Sequence, residues 1–474
     1  MRRIFHGGLI MLLLSAAALS AAMNNKVTVA QAGGKIRWTK IALGPEGIAH
    51  VVYSDELEAE VRTPILYVSY NGQNASSPFL VTRSWDTAAM QASVAVSSRG
   101  LIAVVWSEPR SDSIFLRVFD PAANAWLTEE RVSNWGSDEP EVVVDKDGNI
   151  HVFFYDGGEG RIYVRSKVNG VWEPHALISK SDARCVQGGI ALDSEGYVWV
   201  VWLQRDCSDP SFCQYKVHYR KRLSTTPGWT SQHWVNEEGL SQERPAIAVG
   251  PDNIPWITWT DVNHDESAQV VVCRLDMNEP PLERITGSWT QHFPKIAVDI
   301  NNKPHIAVQQ GAGDEGDGIL YLTNAGGSWT QQMMDGPWTK CGGIAADGYG
   351  NVAVSWSGFY GDGSHVYINS IEPVSPKYFY APVNLSSSLI MSGARKAPKI
   401  TYNLSWSANP ENDDRYLNGY NIYMKEDTGS FQLLEAVTKS TFSRSFEFDQ
   451  VNVKRVFAIS TVNLGGAESV LEEF

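Results

Sequence analysis

Along most of the chain the apolar residues fall in short runs bounded by Gly, Asn, Asp or Pro, and helical periodicity is nearly absent after residue 25. The stretch Glu141-Val-Val-Val-Asp-Lys-Asp-Gly-Asn-Ile-His-Val-Phe-Phe-Tyr155 is the clearest case. Val142 to Val144 and Ile150 to Phe154 are β-branched or aromatic, which suits a pleated, largely buried surface. Asp147-Gly148 between them predicts a tight hairpin turn, because Gly takes the positive φ that the turn requires.

The hairpin recurs. Aligned on the turn, the equivalent residues are Gly47, Gly100, Gly148, Gly196, Asn253, Asn302 and Gly350, spaced by 53, 48, 48, 57, 49 and 48 residues. Asn stands in where Gly is missing, as the next most tolerant residue at positive φ. Six positions after the turn come Tyr53, Trp106, Phe154, Trp202, Trp259, Val308 and Trp356, all but one aromatic. Before each turn runs an apolar strand such as Ile41-Ala-Leu or Ile247-Ala-Val. After the aromatic come a polar loop, a third strand (Arg161 to Arg165), a second turn (Asn169-Gly170) and a fourth strand opened by Trp172. A period near fifty residues with four strands per unit predicts an all-β, seven-bladed β-propeller over 24–372. Tandem sandwich domains need roughly 100 residues per unit and fit poorly. The seventh repeat lacks a fourth strand, and Lys26 to Ala30 is expected to fill it and close the ring.

Beyond the linker at 373–380 the pattern changes. Leu404-Ser-Trp406, Tyr420 to Tyr423, Phe431 to Leu434 and Val456 to Asn463 occur at sandwich spacing, followed by Gly465-Gly-Ala-Glu-Ser469. With Trp406 and the Asn463…Gly466…Ser469 ending, 381–474 closely resembles a fibronectin type III domain. Phe457 takes the place of that family's corner tyrosine, so the resemblance implies a missing corner hydrogen bond. Such domains in secreted proteins are mostly spacers or adhesion modules.

Composition narrows the class. The formal charge is −14 and no basic cluster stands out, which argues against nucleic acid or an anionic membrane as partner. Met1-Arg-Arg, then Leu9 to Leu14 and a run of small residues, predicts a signal peptide over 1–22 and a secreted, extracellular or periplasmic protein without a membrane span. Cys207 and Cys213 flank a short loop and are expected to form a disulfide, leaving Cys185, Cys273 and Cys341 with at least one free thiol. A bond between Cys185 and Cys341 would have to cross the central opening. No cofactor is expected. Acidic second-to-third-strand loops, such as Asp55 to Glu58 and Asp261 to Glu266, leave calcium as a candidate without matching an EF-hand. The chain is expected to be a monomer.

The short first turns share one face; the long, diverse loops share the other, where binding residues usually sit. Residues nine and ten places before each turn are expected at the central mouth. The candidate ligand-binding set is Arg37, Trp38, Gln91, Glu139, Gln187, Glu243, Arg244, His292 and Lys340, a mixture of aromatics and bidentate polar groups suited to a sugar. His50, His151 and His305 repeat at one register, which points to packing inside the repeats.

The repeats resemble the broad sialidase-like, BNR-type propeller superfamily in organisation. The Asp-box of that family, Ser-x-Asp-x-Gly-x-Thr-Trp, is absent. The resemblance implies three arginines around a carboxylate and a Tyr-Glu pair; Arg37, Arg110, Arg184 and Arg244 are the available arginines, and no such pair stands out. No serine-hydrolase elbow, metal triad or phosphate loop is present. The first reading is a secreted recognition or scaffold protein binding a glycan or an extracellular protein. The alternative is a carbohydrate-active enzyme, an exo-glycosidase or a polysaccharide lyase, at the same mouth. An enzyme should gather at least three ionisable side chains with shifted pKa values at one pocket.

Overall fold

The computed structural model describes residues 22–474 apart from 59–60, 134–136, 210–211, 227, 236–240, 263–267, 277–280, 287–290, 312–315, 361–362, 376–378, 395–396, 413, 415–416, 450–452 and 464–467. The leader expected at 1–22 and His264 therefore lie almost wholly outside the described residues. Among the described residues the structure is antiparallel sheet, with one short 3-10 turn at Pro109–Ser111 and no helix long and apolar enough to cross a membrane.

Seven sheets of four or five strands follow one another from Val27 to Ser370. Their first strands are Lys35–Leu43, Met90–Val96, Ser137–Val144, Cys185–Leu192, Ser241–Val249, Gln291–Val298 and Thr339–Ala346. Each pairs with the next strand in sequence, and the sheets are meanders apart from the outer strand of the seventh. All seven turn residues have positive φ, from 60° at Asn302 to 89° at Gly350. The turn is longer than a two-residue hairpin. Val144 and Ile150 form the last ladder pair, Gly148 N–H donates to Asp145 C=O, and Asp145 N–H donates to Asn149 C=O. The Asp145 carboxylate accepts from the N–H groups of Asp147 and Asn149, which stabilises this wider loop.

The residues six places after each turn are all buried, from Tyr53 at 1% exposed to Trp106, Trp202, Trp259 and Trp356 at 0%. They anchor apolar clusters that lie between sheets. One cluster joins Val52 and Tyr67 of the first sheet to Val94, Val104 and Trp106 of the second. Others join each later sheet to its successor, and the last joins Ile368 of the seventh to Ile41 and Tyr53 of the first. A sheet packed on both faces by neighbours has no other way to bury them. The ring is closed by the N-terminal strand Val27–Ala32, which pairs with Gly363–Ser370 as the outer strand of the seventh sheet. The fold is propeller-like and all-β.

The repeated histidines are buried and bonded within their own sheets. His50 lies 2.7 Å from the Tyr67 hydroxyl and 2.9 Å from Glu46; His305 lies 2.6 Å from the Tyr321 hydroxyl. His151 sits between Ser166 and Asp145, with all three side chains buried, so this serine, histidine and aspartate have no access to a substrate. Cys207 and Cys213 are bonded near the tip of the long hairpin Tyr197–Asp209 and Phe212–Leu223, while Cys185 and Cys273 are free and buried. The acidic loops have internal partners. Asp55 accepts from Gly33 and Gly34, Asp156 from Gly158 and Glu159, and Glu108 and Asp261 from the indoles of Trp106 and Trp259. Among the described residues no group of three or more His, Cys, Asp or Glu could hold a metal ion.

Residues 383–473 form a three-stranded and a four-stranded antiparallel sheet around Leu404, Trp406, Tyr420, Ile422 and Ile459. Phe457 is buried in the same cluster, its ring 5.0 Å from Tyr402 and 5.8 Å from Phe446. This unit touches the face that carries the first turns: Asn463 Nδ2 donates to Pro45 C=O at 3.1 Å.

Candidate functional site: a charged cavity on the axis

All seven first strands carry a β-bulge in the same stretch, seven to eleven residues before the turn. A bulge redirects side chains and often marks a site. In five strands the ninth residue before the turn takes a left-handed backbone without being glycine: Gln91, Glu139, Gln187, Arg244 and Phe293, with φ between 48° and 59°. Such a conformation is costly for residues with a Cβ and persists only where surrounding structure enforces it. Here side chains brace the backbone of a neighbouring sheet. Gln91 Oε1 accepts from Glu139 N–H and Gln187 Oε1 from Arg244 N–H, each at 2.9 Å.

These bulges surround a cavity at the centre of the ring. Trp38, Gln91, Glu139, Gln187, Arg244 and Phe293 line it, and so do Lys40, Glu141 and Lys295, seven places before their turns. Below them the channel is ringed by Ile41, Val94, Val142, Ile190, Ile247, Ile296 and Ile344. The cavity is thus polar over an apolar floor.

Of the candidates named from sequence, Trp38, Gln91, Glu139, Gln187 and Arg244 meet at this cavity. Arg37 and Lys340 line an adjoining groove between the first and seventh sheets. Glu243 and His292 line neither. They stand ten places before their turns, and no residue at that register lines the cavity. The positions expected in connecting loops lie in the first strands themselves. Lys40, Glu141 and Lys295 were missed. Their signal was a charge immediately before an apolar triplet, where the other repeats place Ser, Gly or Ala.

The electrostatics are uneven. Glu141 Oε1 lies 2.5 Å from Lys40 Nζ and 3.7 Å from Lys295 Nζ. Burial pushes the Glu141 carboxyl up, but the two ammonium groups outweigh it and hold the group below the usual range. Glu139 Oε1 receives a hydrogen bond from the Arg244 guanidinium at 2.8 Å. There burial wins, and the Glu139 carboxyl is raised despite that partner. Asp138 beside it is also raised by burial. Burial and the nearby Lys40 ammonium bring Lys295 down to about 8. The Arg244 guanidinium lies 4.7 Å from the Phe293 ring centre, and Lys340 Nζ 4.6 Å from that of Trp38.

No protein-family model matches the chain, and no curated protein matches it. Among solved structures, a fungal alcohol oxidase of the AA5 family in complex with copper superposes with a TM-score of 0.47 at 14% identity, over 96% of this chain and 98% of that one. An α-L-arabinofuranosidase from Fusarium graminearum gives 0.44 at 11%, over 66% and 98%. An α-L-arabinanase from Penicillium chrysogenum, complexed with arabinobiose, gives 0.42 at 12%, over 66% and 98%.

Proposed function

We propose that the protein is a secreted carbohydrate-active enzyme, a seven-bladed propeller that cleaves a glycosidic bond at its axial cavity and is followed by a fibronectin type III module over 381–474. The leader-like N-terminus and the Cys207–Cys213 bond support export. One observation carries the reading of activity: two carboxyl groups on one strand face one cavity with their proton affinities pushed apart, Glu139 up and Glu141 down. That separation is what acid and base roles need at one pH. Glu139 gives its proton to the leaving glycosidic oxygen as the bond to the anomeric carbon breaks. Glu141, ionised, takes a proton from the water that adds to that carbon. Trp38 and Phe293 supply flat surfaces for a sugar ring, and Gln91 and Gln187 keep their bulges in place.

The recognition reading puts the same residues in contact with a glycan and gives no turnover. A screen of oligosaccharides with reducing-end detection separates the two. Glu139→Gln should lower kcat at least a hundredfold while leaving binding within a few-fold. Wild-type protein that binds glycans and cleaves none returns the function to recognition.

A further inference from the structure

The sheet edges of the C-terminal unit are not alike. Its two sheets end on the strands Val383–Ala394, Ser443–Phe448, Gln432–Thr438 and Glu472–Glu473. Three of these carry charge: Arg444 and Glu447 on the second, Glu435 on the third, and both residues of the fourth. Charge on an edge strand hinders pairing with another chain, because the charged group would lose water. Val383–Ala394 is the longest of the four and contains no charged residue and no proline. Its one bulge lies between Val383 and Ser386. From Ser387 onward it pairs residue for residue with Ala397–Ser407, and among the described residues no strand covers its other side.

This bare edge is apolar at its centre. Leu389, Ile390 and Met391 are 51%, 53% and 65% exposed. Leu389 stands opposite Tyr402 and Met391 opposite Ile400, so both project from the face that carries buried Ile400 and Leu404. They carry the core face past the rim of the unit and end half in water. Ile390, opposite Thr401, projects from the other face.

The order of residues says what covers this edge. Outward from Ile390 come Leu389 and Met391, then Ser388 and Ser392, then Ser387 and Gly393. An antiparallel copy centred on Ile390 therefore sets Leu389 against Met391 twice, serine against serine, and Ile390 against itself. Charge does not oppose the meeting. Residues 381–474 hold nine Lys and Arg against eleven Asp and Glu, a net −2 within a chain of −14.

We propose that two copies of this chain pair antiparallel through residues 387–393, about a two-fold axis at Ile390, and join their three-stranded sheets into one of six strands. About six backbone hydrogen bonds form across the axis. Leu389 and Met391 of both copies lie on one face and cover each other's exposed sides. The pairing stops at two, because both outer edges of the joined sheet are the charged strand Ser443–Phe448. A dimer then takes the place of the monomer expected from the sequence.

The test is sedimentation velocity on the whole chain from about 1 to 100 µM, with cysteine cross-linking to fix the register. The wild type should approach the mass of two chains as concentration rises. Ile390→Lys, a change at an exposed side chain, sets like charges opposite each other and should weaken association at least tenfold. Ile390→Cys should form an intermolecular disulfide on mild oxidation, since its Cβ lies about 5 Å from that of its own copy. Ser386→Cys, about 26 Å from its own copy at about 3.3 Å per residue, should not. The free thiols of Cys185 and Cys273 are buried, so the wild type serves as the blank. Should Ile390→Lys unfold, the two cysteine variants still decide the register. A wild type that keeps the mass of one chain at the highest concentration, or that forms species heavier than two chains, would overturn the pairing. So would a folded Ile390→Lys that associates as well as the wild type, or Ser386→Cys that cross-links as readily as Ile390→Cys.

Discussion

Lys295 offers the sharpest check on the electrostatics of the cavity. Its amine is drawn down to about 8 by burial and by Lys40, with Glu141 pulling the other way. At pH 7 a lysine at the ordinary 10.5 is neutral in roughly 0.03% of molecules, and one at about 8 in roughly 9%, a ratio near 300. Competitive labelling with a water-soluble amine reagent, followed residue by residue by mass spectrometry from pH 6 to 11, reads this directly. Lys295 should show its inflection near 8. Lys40→Met removes a neighbouring positive charge and should move the inflection up. Glu141→Gln removes the counter-charge and should move it below 8. An inflection near 10 in the wild type, or no movement in Lys40→Met, would refute the assigned environment and with it the polarity of the site.

The same group has a stability signature. In the folded state Lys295 loses its proton near 8, whereas the unfolded chain holds it to about 10.5. Between those values the unfolded chain binds more protons, so this residue makes folding more favourable as pH rises. Below 8 both states carry the proton, and the cost of the shielded charge is present in full. Lys295→Met should therefore remove a rise in stability between pH 8 and 10.

Three further outcomes test the scaffold. Gly342→Ala should distort the mouth and depress ligand binding, because a Cβ there would stand 1.7 Å from Thr39 Oγ1 and 2.8 Å from Ser355 C=O; an alanine variant with wild-type affinity would contradict the geometry. Deleting residues 24–31 removes most of the closing strand, including buried Val29 and the three hydrogen bonds of Asn25, and should cost about 3–6 kcal/mol, seen as a lower melting temperature and new association through the bared edge of Gly363–Ser370. Asp261 is 1% exposed and its carboxyl is pushed up to about 6 by burial, against the hydrogen bond from Trp259, so Asp261→Asn should gain stability relative to the wild type as pH rises from 4 to 6; a constant difference across that range would contradict it.

Why the repeat could be read from the chain and the cavity only in part is a matter of which constraints leave a residue-type mark. A turn that needs positive φ accepts Gly or Asn, so Gly148 and Asn302 announce themselves. A gap between two sheets needs volume, so Trp106, Trp259 and Trp356 recur at one register. The bulge has no such mark. Gln91, Arg244 and Phe293 share a backbone conformation and no side-chain chemistry, because neighbouring sheets impose it across the ring. The bulge also suspends the alternation of strand faces, so Trp38, Thr39 and Lys40 all line the cavity, as do Glu139, Pro140 and Glu141. A charge before the apolar triplet marks Lys40, Glu141 and Lys295, but no pattern of residue types supplies their meeting point. Lys40 and Glu141 come from the first and third sheets and Lys295 from the sixth, and only closure of the ring brings Lys40 within 2.5 Å and Lys295 within 3.7 Å of one carboxylate oxygen. The same closure places the N-terminal strand beside the seventh sheet. A break at that seam should therefore act on the charged cavity as well as on the melt, since Lys40 lies in Lys35–Leu43, the strand next after the seam strand, and Thr39 abuts Gly342 of the seventh sheet.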